Sequence, residues 1–106
     1  MSKRAKPKFY LKLEKRHADV FDALEKLGKS VRRAGPVDKR TAQLIQLAAA
    51  AAIRSEGAVH SHTRRAIEAG VSPDHIRHAL LMLISTLGMP NVVAALSWAE
   101  DVISKK

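Results

Sequence analysis

Three short punctuations divide this chain: Ala34-Gly35-Pro36, Gly70-Val71-Ser72-Pro73 and Gly88-Met89-Pro90. Glycine suits the left-handed exit from a helix and proline prevents its continuation, so each marks a helix end. Between them apolar residues return every three or four positions, the period of one helix face. Leu13, His17, Val20, Phe21, Leu24, Leu27 and Val31 share one such face in a helix starting near Phe9. Asp38 is an N-cap for a helix over about 39–54, whose Leu44, Ile45, Leu47, alanine run and Ile53 are apolar around most of its circumference. That pattern predicts a buried central helix. Ser55-Glu56-Gly57 is a short break, and a third helix then runs to about Ala69. Ser72-Pro73-Asp74 opens a fourth, using Ile76, Leu80, Leu83, Ile84 and Leu87, and a last helix runs from Asn91 to about Ser104. No strand-like alternation competes. The fold expected is all-α, a bundle of about five to six helices.

The 106 residues suit one domain, read as a disordered basic arm over 1–8 and a single helical domain over 9–106. Hydrophobic residues are 46% of the chain but aromatics only 4%. Small side chains fill little volume, so the helices must approach closely and a single copy buries little apolar area. That favours a homo-oligomer. No run of 18 apolar residues is present, so no membrane partner is expected. The charged N-terminus is not read as a secretory signal, and a cytoplasmic location is expected. The absence of cysteine excludes disulfides, thiolate chemistry and cysteine-ligated metals.

The net charge of +9 is unevenly spread. Residues 1–40 carry 13 Lys and Arg against 5 Asp and Glu, and residues 41–106 carry 6 against 5. The excess belongs to the N-terminal arm and first helix. It fits either a solvated tail or a surface for nucleic acid or an acidic partner.

One histidine stands on an apolar stripe. Ser55, Ala58, Val59, His62, Ala66 and Ala69 share one face of the third helix, with Arg64, Arg65 and Glu68 on other faces. His62 therefore points inward, where it is either a satisfied core group or a proton donor and acceptor reached by a pocket. His60 lies about 200° around the helix from His62, so the two cannot chelate one metal. His75 and His78, three apart, read as an exposed pair. No metal-ligand spacing, phosphate loop or nucleophile elbow occurs.

Taken together, Asp38-Lys-Arg-Thr-Ala-Gln43, His62, Ala66-x-x-x-Gly70-x-Ser72, Ile76-Arg-x-Ala-Leu80-Leu and Gly88-x-Pro90 resemble the carboxymuconolactone decarboxylase family and its alkyl hydroperoxidase D-like relatives. The resemblance covers roughly Phe21 to Val102, and the basic residues 1–16 lie outside it. It implies that His62 matches the family's proton-transfer histidine. The two redox cysteines of the peroxidase branch fall on Ser55 and Ala58, and the histidine between them on Gly57. The family's glutamate falls on Gln43, which cannot ionise.

Thiol-dependent peroxide reduction needs a thiolate, and serine does not replace it. The decarboxylase branch lacks the cysteines and fits better. The resemblance thus implies decarboxylation or isomerisation of a small acidic molecule by His62, with Gln43, Ser55 and Arg65 binding it. Arg54 and Arg64 are further candidates for its carboxylate. No cofactor and no metal is implied, and the usual assembly is a trimer or hexamer. The alternative is a non-catalytic oligomeric scaffold whose basic arm binds nucleic acid or an acidic partner.

Overall fold

The computed structural model describes residues 6–104, which fall into two compact units divided after Val37. Most of the expected arm, residues 1–5, lies outside the described residues, as do residues 105–106. Among the described residues there are seven helical segments and no strand. The all-α expectation holds.

The first unit contains α1 (Lys8–Arg16) and α2 (Ala18–Arg33). The sequence pattern predicts one helix here, but the backbone leaves helical geometry at His17 (φ −125°, ψ 51°). A straight helix would hold Tyr10 and Phe21 about 16 Å apart along its axis. The bend brings their rings edge to face at 5.3 Å. The stripe hides the bend because both helices keep the same apolar register across it. No side chain of α1 or α2 is buried. Val20, Leu24, Leu27 and Val31 form an exposed apolar row along α2.

The second unit contains α3 (Lys39–Ala52), α4 (Glu56–Glu68), α5 (Pro73–Leu81), the single turn α6 (Ile84–Leu87) and α7 (Met89–Ile103). The caps of α3, α4 and α5 are those the sequence suggests, whereas α7 begins at Met89 rather than Asn91 and has no side-chain cap. Asp38 Oδ1 accepts from the Thr41 N–H at 2.8 Å, which holds the Asp38 carboxyl below its ordinary range. Ser55 and Ser72 do the same for α4 and α5. The fourth predicted helix breaks after Leu81, and α6 resumes at Ile84.

α4 packs against both α3 and α7. Leu47, Ala50 and Ala51 of α3, Val59 and Ala66 of α4, Ile76 and Leu80 of α5, and Ala95 and Ala99 of α7 form one buried cluster. The alanines allow these axes to approach closely, as the composition implied. α3 is not the buried centre that its apolar run predicts. Gln43, Leu47, Ala50 and Ala51 are buried, but Ile45 and Ile53 are 55% and 74% exposed. Within this unit α3 meets partners on one side, which leaves an apolar row uncovered.

Two helix ends show how the connections are made. After α4, Gly70 takes φ 95°, and the N–H groups of Val71 and Gly70 bond back to the carbonyls of Ala66 and Ile67. After α3 the same pair runs from Ser55 to Ala50 and from Arg54 to Ala51. There the left-handed residue is Arg54, at φ 59°. This conformation costs a residue with a Cβ about 1–2 kcal/mol.

Candidate functional site

α3 and α4 are joined by residues 53–55, so they form a tight hairpin. Gln43 and His62 lie at similar distances from that turn on opposite arms. The hairpin places His62 Nδ1 3.3 Å from Gln43 Oε1. Gln43 is 5% exposed and His62 half-buried. A carbonyl oxygen only accepts, so this contact calls for a hydrogen on Nδ1. Gln43 thus favours one tautomer and orientation of His62 without adding a charge. A buried glutamine and a half-buried histidine, linked at 3.3 Å, can position one proton-transfer nitrogen.

Ser55 stands at the closed end of the hairpin. Its Oγ accepts from the Ala58 N–H at 3.2 Å and caps α4. Seven residues of helix put it about 10 Å along the axis from His62. The structure therefore does not bring the Ser55 hydroxyl into the Gln43–His62 pair. Arg65 is exposed, and its guanidinium makes no hydrogen bond or ion pair among the described residues. Arg54 is exposed at its left-handed turn, and Arg64 is half-buried.

The other histidines lie elsewhere. His60 turns to α7, with Nε2 3.0 Å from Asp101 Oδ2, while His62 turns to α3. The two do face different ways, as their spacing requires. His75 Nδ1 lies 2.6 Å from the Ser72 hydroxyl oxygen, and His78 is exposed.

Two buried polar atoms carry no sequence signal of their role. Thr63 is fully buried, and neither its Oγ1 nor Gln46 Oε1 has a hydrogen-bond partner among the described residues. Thr63 follows Val59 by four and precedes Ala66 by three, a spacing that marks it as inward-facing. Gln46 lies one turn from Gln43.

The model of the carboxymuconolactone decarboxylase family matches residues 18–101, most of the chain and both arms of this hairpin. The chain belongs to the carboxymuconolactone decarboxylase family. No curated protein and no solved structure matches it. The match begins at the start of α2, so α1 and the residues before it lie outside the family region. This member of the carboxymuconolactone decarboxylase family has no cysteine, so thiolate chemistry is not available to it. No helix among the described residues is long and apolar enough to cross a membrane.

Proposed function

We propose that this family member is an acid/base catalyst acting on a small acidic substrate, by decarboxylation or isomerisation, with His62 as the proton-transfer group. The observation that carries this reading is the Gln43–His62 contact at 3.3 Å. In a decarboxylation the bond to the carboxylate carbon breaks, CO2 leaves, and its electron pair remains on the substrate as an enolate. Imidazolium His62, with Nδ1 donating to Gln43, returns a proton from Nε2 to carbon. Gln43 orients the ring and its amide N–H donates to a substrate oxygen. Arg65 completes the binding of the acid, and Ser55, whose hydroxyl is engaged at the start of α4, holds the helix that carries His62. The reading calls for no cofactor and sets the activity in the cytoplasm. Turnover of 4-carboxymuconolactone by the full chain and by His62→Ala tests it. No turnover by the wild type, or equal turnover by both, removes the catalytic role.

The same proposal includes a homo-oligomer, a trimer or hexamer. Val20, Leu24, Leu27 and Val31 on α2, at 55–58% exposure, support it. So do Ile45 and Ile53 on α3. Exposed apolar rows of this kind mark contact surfaces. Light scattering that returns a strict monomer contradicts this part.

One observation favours a second reading. Residues 1–40 hold 13 of the 19 Lys and Arg, largely outside the chemistry-bearing hairpin. In this reading the chain is a non-catalytic oligomeric scaffold, and its basic arm binds nucleic acid or an acidic partner. Such binding weakens steeply with salt and is lost when residues 1–16 are deleted. Failure to bind DNA or RNA at low salt removes its nucleic-acid form.

A further inference from the structure

We propose that Glu56, His60 and Asp101 form a binding site for one zinc-class divalent cation, linking α4 to α7. Glu56 and His60 are one helical turn apart on α4, the i, i+4 spacing that turns two side chains toward the same point. Asp101 meets them from α7. His60 Nε2 lies 3.0 Å from Asp101 Oδ2 and 3.9 Å from Glu56 Oε2. The three potential ligand atoms all lie within 4.8 Å of one another.

Bond lengths of about 2.0–2.1 Å at a tetrahedral zinc place neighbouring ligand atoms about 3.3 Å apart. The two distances to His60 fall on either side of that value. The side chains of Glu56 and Asp101 are 58% and 57% exposed, so small rotations at the surface close the site without moving the backbone. The backbone positions are already fixed from within. Val59, next to His60, and Val102, next to Asp101, are buried.

Both carboxylates converge on the same imidazole nitrogen, Asp101 at 3.0 Å and Glu56 at 3.9 Å. One imidazole nitrogen with two carboxylates is a donor set for zinc and its neighbours, whereas calcium and magnesium prefer oxygen throughout. Three protein ligands on an exposed surface leave a fourth position for water. His60 faces α7 and His62 faces α3, so the site does not depend on the proposed proton transfer.

The test is zinc titration of the full chain, followed by calorimetry and by thermal unfolding. The expected result is a 1:1 complex, with the unfolding midpoint raised by several degrees when zinc is well above Kd. His60→Gln and Asp101→Asn should each weaken binding at least about tenfold, and His75→Gln should leave it unchanged. Far-UV circular dichroism checks that each variant folds. Glu56→Gln, which alters only the exposed first turn of α4, gives a second probe, and there too weaker binding is expected. No binding at millimolar zinc overturns the proposal. So does affinity that is unaffected by His60→Gln and Asp101→Asn.

Discussion

His62 Nδ1 and Gln43 Oε1 meet at 3.3 Å across the α3–α4 hairpin. The carbonyl favours a hydrogen on Nδ1, yet it supplies no negative charge to favour imidazolium. Gln43→Glu adds that charge at nearly the same place. The His62 pKa is expected to rise by about one unit or more in the variant, as read by NMR titration of the ring. An unchanged titration would show that the two side chains do not interact in solution.

Arg54 and Gly70 end their helices with the same pair of backbone bonds, but only one is glycine. Arg54→Gly relieves the left-handed strain while adding freedom to the unfolded chain. The net expectation is a gain of about 0.5–1 kcal/mol, read as a higher urea midpoint at unchanged slope. Gly70→Ala goes the other way. Its Cβ takes up φ 95° and meets the Arg40 guanidinium at 3.2 Å, so a loss of about 1–2 kcal/mol is expected.

Thr63 is fully buried and its hydroxyl has no partner among the described residues. Removing an unsatisfied hydroxyl at constant shape relieves its desolvation cost. Thr63→Val is therefore expected to stabilise the fold by about 1 kcal/mol. A loss of similar size on denaturant unfolding would show that the hydroxyl is paired.

Arg77 joins α5 to α7 through a two-point contact with Glu100, at 2.6 and 3.2 Å, and also reaches Asp74 at 3.0 Å. The bond from Arg77 holds the Glu100 carboxyl below its ordinary value of 4.5. The same bond raises the pKa of Arg77, which stays charged throughout. Since the folded-state value of Glu100 is lowered, its contribution is fully present above the unfolded value. It is lost as pH falls through the folded value. Both side chains are about 40% exposed, so solvent screening keeps the contribution small. Wild type should lose slightly more stability than Glu100→Gln between pH 5 and pH 3. Parallel pH profiles would contradict the clamp.

The helices, their caps and the inward histidine were legible because each rests on local rules. Apolar residues at three- and four-residue steps, Ser55 and Ser72 before a helix, and Gly70 after one act within a turn or two. The bend at His17 and the break after Leu81 were not legible, because neither carries glycine or proline and the apolar register continues through both. Arg54 has no turn propensity, so its left-handed backbone leaves no trace in composition. Ile45 and Ile53 looked buried because periodicity reports an apolar face and not what covers it. His60 and Asp101 are 41 residues apart, and only the packing of α4 on α7 brings them together. At the proposed site, His62 is marked by its apolar stripe and Gln43 only by the family resemblance. Their contact depended on the hairpin.

The most direct measurement of the central claim is the rate of 4-carboxymuconolactone decarboxylation by wild type and by His62→Ala at matched helicity. A general acid at this position predicts a fall of about 10²–10⁴ in kcat on its removal. Equal rates in the two proteins, or no turnover by the wild type, would contradict it.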